Sequence, residues 1–331
     1  MRSRRAVAAN LLILTRSEAK AKSAVVEADL TAAIGDEVLT DVGDGITLCH
    51  QSFGNPADPP MLMIMGLGMQ MIAWHDEFCS ELANRGFHVV RFDNRDMGRS
   101  THHPSRPPGL RHLALRRAAR GSYSLDDMAA DARRLVEALG LGPVHVVGAS
   151  MGGMIAQLLA IHHADVVRSL TSIMSTTGGM LVGQPSPGIV RQLLRRPPTG
   201  REQIAAHAER LFRVIGSPEP HFDGPAIRQQ ALRSFDRGFN PAGSARHMGA
   251  VVAARSRARE LAQVKAPTTV IHGKLDRLVP ISGGRATARA IPGAKLVEID
   301  GMGHDMPRAM WPQILDAIEA NARSDDDPSV E

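Results

Sequence analysis

Three residues of types that act together in nucleophilic catalysis each follow an apolar run in this sequence. Ser150 lies in a Gly-x-Ser-x-Gly pattern at 148–152, Asp276 follows a later run, and His304 follows a glycine. A serine hydroxyl needs a base to become a good nucleophile, and the base needs an acid that orients it. The order serine, acid, histidine is one in which these roles recur. We therefore predict Ser150 as the nucleophile, His304 as the base and Asp276 as the acid that orients the base.

The glycines around Ser150 fit a sharp turn from a strand into a helix. Residues 144–147 are a short apolar run typical of a buried strand, and residues 152–164 have a helical pattern. A nucleophile at such a turn has strained backbone angles and crowded neighbours, which favours glycine on both sides. The helix start would offer N–H groups and a favourable dipole to a developing oxyanion. The motif recurs by chance in other proteins, so its position between strand and helix carries the argument.

Other residues of the same types fit these roles less well. Asp276 could be a helix cap or a surface turn residue, but it stands where parallel sheets place their ligands, after a strand. Asp300 and Asp305 adjoin His304 and are not expected to fold back to its outer ring nitrogen. The remaining histidines are expected on the surface or in packing. His272 lies too near its own strand to act as the base.

The segment 65–69, Met-Gly-Leu-Gly-Met, is predicted to form part of an oxyanion hole. It follows a continuous apolar run, and its glycines permit a close approach of the backbone. We predict the N–H groups of Leu67 and Met151 as the two donors, with Gly68 as the alternative to Leu67. An ordinary glycine turn is the competing interpretation, and it loses force once the three catalytic candidates are considered.

Apolar runs and helical patterns alternate along most of the chain. The predicted strands span residues 38–42, 46–53, 60–65, 88–92, 144–147, 168–174, 267–272 and 294–299. The predicted helices between and after them span residues 74–85, 125–139, 152–164, 284–291 and 308–322. Repeated strand–helix units predict an α/β fold with a mostly parallel, doubly wound sheet. Residues 36–177 and 265–323 carry these units.

Between these two parts, residues 178–264 show no strand signal and are too long for a plain loop. Their helical patterns span residues 188–194, 201–215, 226–239 and 244–264. We predict an inserted helical cap. At the ends of the chain, residues 1–35 are predicted as a basic arm and residues 324–331 as an acidic, disordered tail. The apolar run 6–14 is shorter than a secretory signal requires, so a basic amphipathic arm or a disordered leader is favoured over a signal peptide.

The composition argues against several classes of function. A chain of 331 residues with 43% hydrophobic content can bury a large core, and it has no run of about 18 uncharged apolar residues that would cross a membrane. Cys49 and Cys79 are predicted to be free thiols, which favours a cytoplasmic protein, with secretion left open. The net charge is +5, yet aromatic residues are only 3%, which argues against a nucleic-acid partner. Weak association with anionic membrane surfaces stays open, and the oligomeric state is not predicted.

Residues 61–152, with the segments around Asp276 and His304, resemble the α/β-hydrolase superfamily in its esterase and lipase branch. The segment FDNRDMGRS at 92–100 resembles a motif of that superfamily and is similar to a stretch in actinomycete polyketide methylesterases. The segment 63–68 with Trp74 resembles mycobacterial lipase/esterase proteins.

This sequence departs from the family at two positions. Met65 stands where the family usually has histidine, which leaves the backbone donor of the oxyanion loop intact and makes the neighbourhood apolar. Asp96 stands where many members have glycine. We expect that difference to affect the turn rather than the chemistry.

The resemblance and the predicted triad together imply a hydrolase of small-molecule carboxylic esters that works through an acyl-enzyme, without a cofactor or a metal. Thioesterase, C–C bond hydrolase, cofactor-free perhydrolase and acyltransferase use the same three residues and stay open. A ligand-binding receptor of the same fold is the alternative from another class, although such members often lack one of the three residues. Methionines flank the predicted site, and because their side chains adapt to irregular shapes, we expect a pocket for apolar acyl groups.

Overall fold

A computed structural model describes residues 34–193 and 198–324 of the chain. An eight-stranded sheet lies at its centre. The strands are β1 (Val38–Asp41), β2 (Thr47–Phe53), β3 (Pro60–Ile64), β4 (His88–Phe92), β5 (Val144–Ala149), β6 (Val167–Ile173), β7 (Thr268–Gly273) and β8 (Lys295–Ile299). Their order across the sheet is β1-β2-β4-β3-β5-β6-β7-β8. The two pairs that involve β2 are antiparallel and the other pairs are parallel, so the sheet is mostly parallel, as predicted.

The helices of the described residues lie in the connections between strands and after the last strand, β8. They are α1 (Asp76–Asn84), α2 (Leu110–Ala114), α3 (Leu125–Ala138), α4 (Met151–His162), α5 (Pro187–Leu193), α6 (Arg201–Ile215), α7 (Gly224–Arg237), α8 (Pro241–Ala253), α9 (Ser282–Ala290) and α10 (Trp311–Arg323). Short 3₁₀ helices lie at Met71–Ala73, Ala164–Val166, Glu260–Gln263 and Arg308–Met310. Helix α2 was not expected from the sequence.

The alternation of side chains along the central strands gives the sheet two apolar faces. On β3, Met61 and Met63 join the core with α1 and α10, whereas Leu62 and Ile64 join the core with α3 and α4. All four side chains are buried, because both faces of a parallel sheet are covered by helices. The prediction of a doubly wound α/β sheet is therefore confirmed.

Helices α5 to α8 form an insertion between β6 and β7, which we call the helical insertion (residues 187–253). Over residues 174–193 and 198–267 the structure contains no strand. One predicted helix, 244–264, is wrong in its extent. Helix α8 ends at Ala253 because Ala254 adopts extended backbone angles, and the N–H of Arg257 then bonds to the carbonyl of Thr177 beside the sheet. The predicted division into core and cap at residues 178 and 264 stays a prediction.

Two buried ion pairs join the helical insertion to the segment that follows β4. Arg237 at the end of α7 lies 2.6 Å from Asp93, and Arg246 on α8 lies 2.6 Å from Asp96. Both carboxylates are fully buried. Removing one partner of such a pair leaves an uncompensated charge, which typically costs about 3–5 kcal/mol. These pairs therefore hold the helical insertion against the sheet through Asp93 and Asp96, which are distant in sequence from the insertion.

The two predicted terminal segments lie mostly outside the described residues. Ile34 forms a bridge with Phe53 and Gly35 donates to the carbonyl of Ser52, so the last two residues of the predicted arm join the sheet edge. Residues 1–33 and 325–331 are not described. Among the described helices none has the length and apolarity needed to cross a membrane. Cys49 and Cys79 are buried and free.

Candidate active site

Ser150 stands at the turn between β5 and α4 with a strained backbone. Its φ is 57° and its ψ is −118°, values that a residue with a side chain rarely adopts. A Cβ atom at Gly148 would collide with the backbone of Gly152, and one at Gly152 would collide with the carbonyl of Ile64. The N–H of Ser150 donates to the carbonyl of Ile173 over 2.9 Å, which fixes the turn to β6. The two glycines are thus required by close packing, as the motif predicts.

The three residues predicted as the triad lie in one hydrogen-bonded line. Ser150 Oγ lies 3.0 Å from His304 Nε2, and His304 Nδ1 lies 2.7 Å from Asp276 Oδ2. Asp276 follows β7 and His304 follows β8, so the carboxyl ends of neighbouring parallel strands bring them together. With Nδ1–H donating to the carboxylate, Nε2 is free to accept the hydroxyl proton. This arrangement allows base-assisted attack by a serine oxygen.

The surroundings of Asp276 keep its carboxyl group charged. Its burial raises the pKa, but the charge of His304 and hydrogen bonds from His272 and His304 outweigh burial and hold the pKa below its usual value. The other oxygen accepts the N–H groups of Leu278 and Val279, at 2.9 and 2.8 Å. An ionised and doubly anchored carboxylate can hold the imidazole in one tautomer and one orientation.

The loop that carries His304 is held by the helical insertion. The N–H of His304 donates to the carbonyl of Ile215, and the N–H of Gly303 donates to Ser217 Oγ over 2.9 Å. Ser217 in turn donates to Asp305 Oδ1 through both its N–H and its hydroxyl, at 2.9 and 2.6 Å. Asp305 therefore faces Ser217, and Asp276 contacts the ring of His304.

The predicted oxyanion donors lie beside Ser150. A Cβ atom at Gly66 would lie 3.1 Å from Ser150 Cβ, so the loop 65–69 passes directly against the serine. Within the described part of the chain, the N–H groups of Leu67 and Met151 donate to no protein acceptor. The N–H of Gly68, the predicted alternative, donates to His247 Nδ1 over 3.3 Å. Of the two candidates in this loop, Leu67 is therefore the one whose N–H stays available.

A cavity of about 1220 Å³ opens above Ser150 and His304. The sheet side contributes the loop 65–69 and the start of α4, and the helical insertion contributes much of the rest. Apolar side chains dominate the wall, among them Leu67, Met69, Met154, Leu211, Phe212, Phe235, Met248 and Val251. Other methionines lie outside the cavity wall: Met61 and Met63 belong to the core, and Met180 is exposed.

The residues of the helical insertion that contact the loops around Ser150 and His304 were not predicted from the sequence. Asp96 does lie at a turn with a positive φ of 74°, as its departure from glycine suggested. It also accepts two bonds from Arg246, at 2.6 and 2.7 Å, and one from the hydroxyl of Tyr123, at 2.6 Å. His247 and Ser217 likewise contact segments distant in sequence. No motif or periodicity in the sequence near these residues indicated that they would make these contacts.

Comparison with known proteins identifies the family of this chain. The model of a family described as "alpha/beta hydrolase fold" matches residues 59–307. The chain belongs to the α/β-hydrolase fold family. The predicted resemblance is thereby confirmed.

Two curated relatives extend over most of this α/β hydrolase. Rhodomycin D methylesterase DauP from Streptomyces sp. (strain C5) is 30% identical, and the match covers 85% of this chain and 96% of DauP. Rhodomycin D methylesterase DnrP from Streptomyces peucetius is 29% identical, and the match covers 85% of this chain and 96% of DnrP. A solved hydrolase from Pseudomonas aeruginosa PA01 superposes with a TM-score of 0.66 at 21% identity, covering 88% of this chain and 98% of that one. The last similarity bears on the fold alone.

Proposed function

We propose that this α/β hydrolase cleaves neutral carboxylic esters through Ser150, His304 and Asp276. The observation that carries the proposal is the continuous line from Ser150 Oγ through the His304 ring to Asp276 Oδ2, with distances of 3.0 and 2.7 Å, below an apolar cavity. The names of the two methylesterase relatives support ester hydrolysis as the class of reaction.

Each of these residues has one task in the proposed reaction. Ser150 Oγ attacks the carbonyl carbon of the ester while His304 Nε2 takes the hydroxyl proton. The protonated imidazole then gives this proton to the departing alcohol oxygen, and Asp276 stabilises the imidazolium. Water attacks the acyl-enzyme by the same route and releases the acid. The N–H groups of Leu67 and Met151 bind the oxygen of both tetrahedral intermediates.

The cavity favours apolar and bulky acyl groups. Its volume of about 1220 Å³ exceeds the roughly 300–1,000 Å³ that is usual for small-molecule sites. Methionine, leucine and phenylalanine side chains line it. We propose that residues 178–264 act as a cap that forms this wall over a core of residues 36–177 and 265–323. A flexible apolar wall predicts a broad preference for acyl length, since one methylene is worth only about 1–3 kcal/mol.

The proposal is tested by covalent labelling and a substrate panel. A fluorophosphonate probe should label the wild-type enzyme at Ser150, and Ser150→Ala should neither be labelled nor turn over ester. The panel compares kcat/KM for nitrophenyl esters from acetate upward, methyl esters of bulky aromatic acids, an acyl-CoA and a proline amide. We expect the neutral esters to be hydrolysed and the amide to be inert.

Each other outcome names a different function. Preference for acyl-CoA would move the enzyme to the thioesterases, and preference for the amide would contradict the ester proposal. Absence of labelling in a folded wild-type protein would favour a ligand-binding receptor. Ser150→Ala that retains more than about 1% of the wild-type rate would exclude Ser150, because losses near 10⁶ are expected for a triad serine.

A further inference from the structure

The oxyanion loop (residues 65–69) contains a turn in which the N–H of Gly68 points at the helical insertion. Met69 N donates to Gly66 O over 3.2 Å, Gly68 has a φ of 70°, and Leu67 is not among the residues with positive φ. A positive φ at the third position and not at the second is characteristic of a type II turn, which favours glycine at the third position. The N–H of Gly68 donates to His247 Nδ1 over 3.3 Å.

Helix α8 packs directly on this turn. Ser244 and His247 are three residues apart and therefore lie on the same face of α8. A Cβ atom at Gly68 would lie 3.0 Å from Ser244 Oγ, which is closer than a side chain normally allows. On the opposite side of the turn, Gly66 lies against Ser150. The turn is thus held between the nucleophile and α8, with Leu67 between the two contacts.

The hydrogen bonds of His247 require one form of its ring. Nδ1 accepts from Gly68, so the proton must be on Nε2, and Nε2 donates to the carbonyl of Arg95 over 2.8 Å. The ring is fully buried, and this burial lowers its pKa to about 4 despite the nearby charge of Asp96. A neutral ring with a single tautomer can therefore connect the oxyanion loop to the segment after β4.

We propose that His247 is a positioning residue for the oxyanion hole, holding the turn through the N–H of Gly68 so that the N–H of Leu67 stays aimed at the reacting oxygen. This inference rests on the proposed function. A misplacement of about 1 Å in a catalytic group can cost about a hundredfold in rate. Because oxyanion donors act on the transition state more than on the bound ester, loosening the turn should lower kcat and leave KM nearly unchanged.

Two substitutions of His247, each of which keeps one of the two hydrogen bonds of the imidazole, separate the contributions of these bonds. In His247→Asn the amide oxygen occupies the place of Nδ1 and can still accept from Gly68. In His247→Gln the amide nitrogen occupies the place of Nε2, so the bond to Arg95 can form and the acceptor near Gly68 is displaced. His50→Gln is the matched control, because His50 is also a buried histidine and lies on β2, where its ring contacts Thr40.

The expected result is a split between kcat and KM in one variant only. His247→Gln should lower kcat on nitrophenyl esters by about tenfold to a hundredfold, with KM changed less than about threefold. His247→Asn and His50→Gln should stay within about threefold of wild type in both constants. Wild-type kcat in His247→Gln, or an equal loss in both His247 variants, would overturn the inference. An inactive wild-type enzyme would instead count against the proposed function.

A spectroscopic measurement on the wild-type enzyme does not depend on the folding of any variant. In protein labelled with ¹⁵N-histidine, the ring nitrogens of His247 should report a proton on Nε2 and a hydrogen-bond acceptor at Nδ1. The signals are assigned by their loss in His247→Asn or, if that variant does not fold, by through-bond connection to the backbone of α8. A proton on Nδ1 would overturn the inference, since that ring could not accept from Gly68.

Discussion

Ser217 Oγ donates a 2.6 Å hydrogen bond to Asp305 Oδ1 and thereby joins the helical insertion to the loop that carries His304. The same hydroxyl oxygen accepts the buried N–H of Gly303. His304, the proposed base, is thus positioned from two sides, by Asp276 from the sheet and by Ser217 from the helical insertion. Each of these two supports leads to a prediction, the first for Ser217 and the second for Asp276.

Ser217→Ala should weaken the support of the histidine loop. The change leaves the Gly303 N–H without its acceptor, which should cost about 1–3 kcal/mol of unfolding free energy. Asp305→Asn is the matched control, since an amide oxygen can still accept from Ser217. Burial raises the pKa of Asp305, so removing its charge should not destabilise the protein near neutral pH. Urea unfolding of both variants would contradict this account if Asp305→Asn were the less stable one.

Asp276→Asn should lower kcat by about 10⁴, because the amide would stabilise the wrong tautomer of His304. Asp300→Asn is the control, as Asp300 is exposed and pairs with Lys274 at 2.9 Å. Its kcat should equal that of wild type. Steady-state hydrolysis of a nitrophenyl ester measures both. A larger loss in Asp300→Asn than in Asp276→Asn would show that the orienting acid had been assigned wrongly.

Asp96→Asn should lower the unfolding free energy by about 3–5 kcal/mol, because it leaves Arg246 buried without its counter-charge. Arg246→Gln should have a similar effect, since it leaves Asp96 unpaired. In the double variant the two losses should not add, and the coupling should amount to about 0.5–3 kcal/mol. A double-mutant cycle by urea unfolding measures it. Strict additivity would show that the two side chains do not stabilise the protein through each other.

His247 should make the protein less stable in acid. Burial lowers its folded pKa to about 4, against about 6.5 for an unfolded histidine. As the pH falls below about 6.5, the unfolded chain takes up this proton first, so stability is complete above that pH and declines toward pH 4. Between about pH 7 and pH 4.5 the wild type should lose about 2 kcal/mol more unfolding free energy than His247→Asn. Equal losses would mean that His247 takes up its proton as readily in the folded protein as in the unfolded chain.

The sequence was informative where a function depends on local chain geometry. Gly148 and Gly152 mark the serine turn, and strands end before Asp276 and His304, so the three residues could be predicted to meet. The contacts of the helical insertion depend on pairs such as Asp96 and Arg246, which are 150 residues apart. No periodicity encodes such pairs.

The same limit explains the helix predicted at 244–264. Its apolar pattern continues past Ala253, but the chain leaves the helix so that Arg257 can bond beside the sheet to Thr177. That bond belongs to the tertiary structure, and propensity along the segment does not report it.

The attachment of the helical insertion through Asp93 and Asp96 has a consequence for how substrate range can evolve. Exchange of this insertion between relatives by recombination would divide the chain near β6 and β7, yet the anchoring carboxylates lie before that exchanged segment. A chimeric enzyme would inherit Arg237 and Arg246 from one parent and their partners from the other. Changes at 93 and 96 should therefore co-vary with changes at 237 and 246, and transplanted insertions should work only when the segment after β4 is transferred with them.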